Sequence, residues 1–308
     1  MTLRTLLPAL IVLGALVSAG VNLSEAADNP QQLQAACKKG TATACTSLGL
    51  IYSMGEGVKQ DPVQAARFYR QACDSREVLA CFNLGWMYAE GTGVAQDSVQ
   101  AVALFTKACA GRVAGGCSDL GVMYEQGIGV QQDPREAVKF YRQGCDGGEP
   151  RGCVNLGWMY EQGKGVQRDP VEAIKLYRQV CNIRNAEGCV NLGLMYEKGT
   201  GVQQDPREAV KLYRQGCAGG MTLGCNNLGS MYARGVGVDQ DNVQAVALFT
   251  KACDDGVARG CSNLGVMYEE GVGVKQDSAK ALKYFGVACD LKDQAGCDHY
   301  EKFKTGRR

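Results

Sequence analysis

Histidine is almost absent from this sequence, since His299 is the only one among 308 residues. Zinc-dependent hydrolases need several histidines, so a zinc centre of that kind is excluded. An excess of charge of one sign is also lacking, because 33 lysines and arginines stand against 32 aspartates and glutamates. Such a balance provides no electrostatic surface for nucleic acid or for an anionic membrane. We therefore expect no metal, no cofactor and no nucleic-acid partner.

Long apolar runs are missing as well, apart from one near the N-terminus. The run from Leu6 to Val17 follows Arg4 and precedes small and polar residues. This arrangement predicts a secretory signal peptide over residues 1–26, and the run is shorter than the roughly 18 residues of a membrane span. We expect cleavage after Ala26, with the bond after Ala19 as the alternative. No later segment is apolar enough to span a membrane, so residues 27–308 are expected to be secreted or periplasmic.

Cysteine, in contrast, is abundant, and all sixteen cysteines follow the predicted signal peptide. Disulfides persist outside the cytosol, so this count independently favours export. The cysteines form eight C-x7-C pairs, and each pair begins 36 residues after the one before it. A fixed period of this length is typical of a solenoid. The pairs are Cys37 with Cys45, Cys73 with Cys81, Cys109 with Cys117, Cys145 with Cys153, Cys181 with Cys189, Cys217 with Cys225, Cys253 with Cys261 and Cys289 with Cys297.

Each period reads as a helical hairpin. In residues 153–162, Leu156, Met159 and Tyr160 have the spacing of one helix face. The G-x-G-V segment at 163–166 then breaks this helix, and Asp169-Pro170 caps and opens a second one. The G-x-G-V segment occurs seven times. The sequence therefore predicts an all-α solenoid of seven 36-residue hairpins with a half-repeat at each end.

Two disulfide pairings are compatible with such hairpins. Cys45 could bond Cys73 within one hairpin, or each C-x7-C pair could bond across the turn between hairpins. The first scheme leaves Cys37 and Cys297 without partners, so we predict the second. Residues eight apart in a helix are separated by about 12 Å. A disulfide needs Cα atoms within about 7 Å, so the chain must reverse within each pair. The glycine pairs at 115–116, 147–148 and 219–220 are interpreted as these turns.

The repeated string resembles a known family. The pattern C-x-N-L-G-x-M-Y-x-x-G-x-G-V-x-x-D, seen from residue 153, resembles the Sel-1-like repeat, a relative of the tetratricopeptide repeat. The cysteine pair in each unit resembles the Helicobacter cysteine-rich proteins, and the resemblance covers residues 31 to about 300. It implies a right-handed superhelix of α/α hairpins, each locked by a disulfide, in a secreted or periplasmic protein. It also implies two functions: an adaptor in protein assemblies, or a penicillin-binding protein with slow β-lactamase activity.

The residues give little support to a serine β-lactamase. Such an enzyme needs S-x-x-K, S-D-N and K-T-G. No S-x-x-K occurs, and Ser118-Asp119 is followed by Leu120. The K-T-G at residues 304–306 lies at the chain end without its partners. No catalytic residue is assigned, and slow β-lactam hydrolysis remains the alternative that the resemblance implies.

A binding surface has clearer candidates. Two positions after the second cysteine of each pair stand short polar residues, mostly asparagine. In tetratricopeptide-like arrays the first helices line the concave face, and side-chain amides there can hydrogen-bond the backbone of a peptide. The alternative is that each asparagine bridges neighbouring hairpins. The series is Ser47, Asn83, Asp119, Asn155, Asn191, Asn227 and Asn263.

Specificity is expected from first-helix positions that vary between repeats. The position after the glycine of L-G holds both tryptophans of the chain, Trp86 and Trp158. Exposed aromatic residues in a groove are common anchors, although a helical tryptophan can also simply be packed. The tyrosine of each first helix recurs in every repeat and is predicted to be core. We expect a monomeric scaffold that binds a peptide, a protein or a peptidoglycan fragment, with a β-lactam as the alternative ligand. The predicted ligand-binding residues are Asn83, Asn155, Asn191, Asn227, Asn263, Trp86 and Trp158.

Overall fold

The computed structural model describes residues 30–305, which contain sixteen α-helices and no strand. The predicted signal peptide, residues 1–26, lies outside the described residues and stays a prediction. No helix within 30–305 is long and apolar enough to cross a bilayer. The helices are α1 (Pro30–Lys38), α2 (Ala42–Met54), α3 (Pro62–Asp74), α4 (Val78–Glu90), α5 (Ser98–Ala110), α6 (Ala114–Gln126), α7 (Pro134–Asp146), α8 (Pro150–Gln162), α9 (Pro170–Asn182), α10 (Ala186–Lys198), α11 (Pro206–Ala218), α12 (Thr222–Arg234), α13 (Asn242–Asp254), α14 (Ala258–Glu270), α15 (Ser278–Asp290) and α16 (Gln294–Thr305).

The hairpins begin and end at the residues that the sequence indicates. The first helix α8 stops at Gly163, whose φ of 69° lies in the left-handed region and whose N–H donates to the carbonyl of Met159. The second helix α9 starts after Asp169, whose carboxylate accepts the N–H groups of Val171 and Glu172 at 3.1 and 3.0 Å. Asp169 therefore caps N–H groups that have no partner within the helix. The all-α fold of repeated hairpins is confirmed within each unit, by α2/α3 and α4/α5 and by α8/α9, α10/α11, α12/α13 and α14/α15, with α1 and α16 as half-repeats.

The chain divides into two compact units, Met1–Asp133 and Pro134–Arg308. The first unit contains α1 to α6 and the second contains α7 to α16. Within each unit, consecutive helices pack on one another, both inside a hairpin and from one hairpin to the next. The interpretation of residues 27–308 as one repeat domain stays a prediction.

The glycine of the L-G motif allows the two helices of a hairpin to approach closely. A Cβ added at Gly85 would lie 2.8 Å from Cε1 of Phe105, and one added at Gly229 would lie 2.8 Å from Cε1 of Phe249. These distances are shorter than any real contact of a Cβ atom, so the aromatic ring of the second helix needs a glycine beneath it. Tyrosine occupies the ring position in four other hairpins and is almost fully buried there: Tyr69, Tyr141, Tyr177 and Tyr213.

All eight C-x7-C pairs form disulfides, as predicted, with Cα atoms 4.4 to 4.8 Å apart. Each bond joins the end of one second-type helix to the first helix of the next hairpin, so the alternative pairing of Cys45 with Cys73 is wrong. In the first unit, the bonds link Cys37 to Cys45, Cys73 to Cys81 and Cys109 to Cys117. In the second unit, they link Cys145 to Cys153, Cys181 to Cys189, Cys217 to Cys225, Cys253 to Cys261 and Cys289 to Cys297. The disulfides therefore connect neighbouring hairpins within each unit.

The turns inside these disulfide loops differ from the predicted glycine turns. Each has one residue in the left-handed region, which is glycine in only four of the eight. A basic residue takes the place in the others: Arg76, Arg112, Arg184 and Lys292, with φ between 62° and 69°. The glycines at 147–148 and 219–220 lie in turns as expected. Those at 115–116 lie inside α6, so that assignment was wrong.

Candidate functional site

First helices of the second unit line a depression of about 1000 Å³, which we call the α12 groove. It is formed by α10, α12 and α14 together with their loops. Two residues of the predicted asparagine series, Asn227 and Asn263, lie on its surface, as do three of the variable positions, Leu194, Ser230 and Val266. Its other lining residues include Glu197, Lys198, Asn226, Arg234, Phe249, Arg259, Met267 and Glu270.

The five predicted asparagines are all half-buried, and three of them contact a neighbouring hairpin. Asn83 hydrogen-bonds the hydroxyl of Tyr69 in the preceding second helix. Asn227 has the same relation to Tyr213, and Asn263 donates to the side chain of Asn226. Bridging of hairpins, the alternative for this series, therefore occurs. Asn227 and Asn263 also line the α12 groove, so an asparagine that bridges hairpins can face the groove as well. The remaining two, Asn155 and Asn191, lie on α8 and α10 away from the groove lining.

A chain of side-chain amides crosses the floor of the groove. The amide nitrogen of Asn263 donates to Oδ1 of Asn226 at 3.0 Å. The amide nitrogen of Asn226 donates in turn to Oδ1 of Asn227 at 3.3 Å. Asn226 is 4% exposed and holds the place that phenylalanine has in α4. The sequence analysis did not single it out, although three asparagines within two neighbouring first helices would have been a usable signal.

The amide chain ends on a carboxylate. Asn227 hydrogen-bonds the hydroxyl of Tyr213, and that hydroxyl donates to Oε2 of Glu197 at 2.6 Å. The second oxygen of Glu197 accepts from Nη2 of Arg234 at 3.0 Å. Burial raises the pKa of Tyr213 well above the usual value, and the adjacent Glu197 raises it further, so the hydroxyl remains a donor. We call the linked side chains of Asn263, Asn226, Asn227, Tyr213 and Glu197 the amide relay.

The two tryptophans have different surroundings, and both lie outside the α12 groove. Trp158 is 39% exposed, and the ammonium group of Lys164 lies 5.2 Å from its ring centroid. Trp86 is half-buried and meets Phe105 edge to face, with the ring centroids 5.9 Å apart. Trp158 is therefore the more accessible anchor candidate, while Trp86 is largely a packing residue.

The first-helix tyrosines are half-buried rather than part of the core, which corrects the prediction. Four of their hydroxyls, those of Tyr88, Tyr160, Tyr196 and Tyr232, accept from an arginine of the preceding second helix. Arg178 donates to Tyr196 at 2.6 Å and Arg214 donates to Tyr232 at 2.9 Å. Recurrence in every repeat shows that a residue is structural but does not distinguish the core from a contact between hairpins. The arginine eighteen residues earlier was the available signal.

The groove offers hydrogen-bonding and apolar groups rather than an evident catalytic set. Amides and guanidinium groups on its surface donate hydrogen bonds, and the carboxylate of Glu197 is already shared between Tyr213 and Arg234. Among residues 30–305, no group of three or more His, Cys, Asp or Glu residues could hold a metal ion. The arrangement is suited to binding.

A family model for the Sel1 repeat matches the chain seven times, at residues 42–76, 78–112, 114–149, 150–182, 186–221, 222–257 and 258–293. These matches begin at or near the start of each first helix and include both helices of each hairpin. Among curated protein sequences, none matches the chain.

Several solved structures are similar to it. The protective antigen c5321 of uropathogenic Escherichia coli, described as having an SLR fold, is 32% identical with a TM-score of 0.78 over 88% of this chain. The Sel1 repeat protein of Oxalobacter formigenes is 25% identical with a TM-score of 0.73, over 89% of this chain and 79% of its own. The chain spans only 58% of the c5321 chain.

The cysteine rich protein B of Helicobacter pylori is 28% identical over 41% of this chain and 91% of its own. Its TM-score of 0.35 is too low to support an argument about shape.

Proposed function

The chain belongs to the Sel1 repeat family, and from that membership we propose that it is a binding scaffold for an extended peptide segment of another protein. Sel1 repeats form a protein-interaction scaffold. The observation that supports binding of an extended peptide is the α12 groove. Residues of three first helices contribute most of its lining, its floor carries three amides, and its volume of about 1000 Å³ suits a few residues of extended chain.

The disulfides indicate where this binding takes place. Eight bonds in one chain suggest an oxidising compartment outside the cytosol. We propose that residues 1–26 direct export and that the mature monomer binds its partner in the periplasm or outside the cell.

Peptide selection tests the proposal. We expect random peptides displayed on phage to yield binders to the oxidised protein. Their affinity should fall at least about tenfold in a double variant with Asn227→Ala and Asn263→Ala, because two side-chain amides that would hydrogen-bond the peptide are lost. The matched control is Val171→Ser, which changes an exposed residue at the start of the second helix α9. Peptides that lose affinity equally in both variants, or in neither, would contradict binding along the first helices.

Weak β-lactam binding and slow hydrolysis form the alternative, which rests on the family resemblance alone. Nitrocefin separates the two. We expect no turnover by purified, oxidised protein. Turnover that co-purifies with the protein through successive columns would overturn a purely binding function. Competition between muropeptides and the selected peptides would show whether a cell-wall fragment binds the same groove.

A further inference from the structure

We propose that the disulfide between Cys289 and Cys297 is a site of thiol–disulfide exchange, at which a dithiol reductant acts on the folded protein and releases α16 from α15. We call this bond the α15–α16 disulfide. The inference is independent of the α12 groove. It follows from the exposure of the two cysteines, from the side chains that α16 carries and from the contacts that hold α16 in place.

The α15–α16 disulfide is the most accessible of the eight. The fourteen other cysteines are each at most 7% exposed, whereas Cys289 and Cys297 are both half-buried. A disulfide is reduced when a thiolate attacks one of its sulfur atoms, so the rate depends on access to the sulfur. A buried disulfide has to wait for the fold to open locally. An external thiol therefore reacts at this pair before it reacts at the other seven.

A second helix covers the disulfide next to it in the array. Both sulfur atoms of the Cys181–Cys189 bond lie near Oε1 of Gln215 in α11, at 3.4 and 3.6 Å. Gln71 of α3 likewise donates to the carbonyl oxygen of Cys37. In both places, the glutamine belongs to the second helix that pairs with the first helix of the bond. Within residues 30–305 no second helix follows α16, so none of these residues covers the α15–α16 disulfide in this way.

The side chains of α16 also prevent the usual packing of a second helix. Tyr300 and Glu301 occupy the positions that leucine and glycine hold in the L-G motif of the other first helices. A Cβ added at the equivalent Gly265 of α14 would lie only 2.6 Å from Cε1 of Phe285. A side chain as large as that of Glu301 therefore blocks the place of such a ring. The α15–α16 disulfide cannot be covered as the other seven are.

The packing of α16 is weaker than that of other first helices. Only one of its residues is buried, against six in α14. Just before α16, the carboxylate of Asp293 accepts from the hydroxyl of Ser262 at 2.5 Å. Along the helix, the rings of His299 and Phe303 lie against Phe285, with centroids 4.6 and 5.8 Å away. A helix that buries so little depends strongly on its covalent restraint, so reduction frees it.

The exchange takes place in two steps. A thiolate of the reductant attacks one sulfur of the α15–α16 disulfide, which forms a mixed disulfide and releases the other cysteine as a thiolate. The second thiol of the reductant then attacks the mixed disulfide and displaces the remaining cysteine. Two electrons and two protons pass from the dithiol to the disulfide, so the protein gains two thiols and the reductant becomes a disulfide. Proteins with a C-x-x-C motif are the class of dithiol that carries out such exchange.

Selective reduction of the native, oxidised protein tests the site. The protein is treated with a limiting amount of dithiothreitol, the new thiols are trapped with N-ethylmaleimide, and the tryptic peptides are mapped. Cleavage after Lys283 and Lys292 places Cys289 and Cys297 on separate peptides, so each can be followed. We expect both to be labelled at least about tenfold faster than any other pair, because the others require local opening. Equal labelling of a buried pair would overturn the proposal.

Two controls assign the difference in rate to the fold. In urea, all eight pairs should react at similar rates, because each closes a loop of the same length. In the native protein, Gln215→Ala should speed reduction of Cys181–Cys189 severalfold, since it removes the side chain beside both sulfur atoms. Gln244→Ala changes an exposed glutamine in the first turn of α13 and should affect no pair. A preference for the α15–α16 disulfide that persists in urea would contradict the structural cause.

Hydrogen exchange tests the release of α16. Reduction at this site, or the double variant Cys289→Ala with Cys297→Ala, should raise exchange of the α16 amides by roughly fiftyfold. Loss of a nine-residue covalent loop implies a change of this size in the chain-entropy model. Unchanged circular dichroism and unchanged exchange in α12 show that the rest remains folded.

The matched variant replaces a buried pair in the same unit. Cys181→Ala with Cys189→Ala should accelerate exchange in α9 and α10 and leave α16 protected, because the bond that restrains α16 is still present. If α16 stays protected after the α15–α16 disulfide is reduced, its side-chain contacts suffice to hold it and the proposed release is refuted.

Discussion

The hairpins α4/α5 and α12/α13 share almost the same second helix but present different first-helix surfaces. Residues 99–109 and 243–253 are identical, and the same five positions are buried in both helices. Their first helices differ at five equivalent positions, three of which lie one turn apart along the helix. These three positions hold Phe82, Trp86 and Glu90 in α4, and Asn226, Ser230 and Arg234 in α12.

In each hairpin, one phenylalanine ring of the shared second helix lies against the first-helix surface. In the first hairpin, Phe105 packs against Phe82 and Trp86, with centroids 6.1 and 5.9 Å away. In the second, Phe249 lies beside an open groove lined by Asn226 and Ser230. An unchanged second helix thus supports both an aromatic surface and a polar one. The character of this surface is therefore set by a few first-helix positions rather than by the second helix.

Truncating the shared ring tests this comparison most strongly. Phe105→Ala should cost about 3–5 kcal/mol, because it leaves a cavity beneath two aromatic neighbours. We expect Phe249→Ala to cost about 1 kcal/mol less, since its cavity opens into the groove and water can enter. Hydrogen exchange of amides in α5 and α13 measures each cost locally, as repeat arrays need not unfold in one step. Equal costs would show that the groove surface does not affect the core.

The disulfide that follows each hairpin provides a second test, with an expected change in stability of intermediate size. Cys109–Cys117 and Cys253–Cys261 close loops of the same length. Replacing either pair by alanine should therefore lower stability by a similar amount, about 2.5 kcal/mol in the chain-entropy model. Urea unfolding of both variants, with hydrogen exchange in the adjoining helices, checks this. If the two losses of unfolding free energy differed by well above 1 kcal/mol, the first-helix surface would affect how much each disulfide stabilises the fold.

The turns after the two shared helices give the smallest effect. Arg112 has φ of 65° where the equivalent turn has Gly256 at 83°. A side chain in this region costs roughly 1 kcal/mol. Arg112→Gly should raise the melting temperature slightly, and Gly256→Arg should lower it by a comparable amount. Changes of the same sign in both variants would contradict this explanation.

Much of the fold could be predicted because the repeat constrains it in several independent ways. The cysteine spacing, the capping aspartates and the G-x-G-V loops all indicate the same hairpin boundaries. The site was predicted only in part. The first helices and the positions of Asn227 and Asn263 were identified, but Asn226 was not singled out. Its importance depends on Glu197, Tyr213 and Asn263 meeting across three repeats, and periodicity alone does not reveal a contact of that kind.

The basic residues at positive φ in the disulfide loops could not be predicted from the sequence pattern for a similar reason. Arg76, Arg112, Arg184 and Lys292 occupy a conformation that composition assigns to glycine. The disulfide across each turn holds the backbone reversal, so an unfavourable residue is tolerated there. The local preference for glycine at a positive φ is thus overridden by a disulfide between cysteines eight residues apart.

Because every cystine encloses the exposed bend between two hairpins, a protease that cuts the backbone there does not divide the molecule. A cut between Asp74 and Val78, for example, leaves both fragments attached through Cys73 and Cys81. The cleaved chain would migrate as one species until a reductant is added. In a compartment rich in proteases, the disulfides of each unit would therefore keep the chain in one covalent piece after a cut in any of these bends.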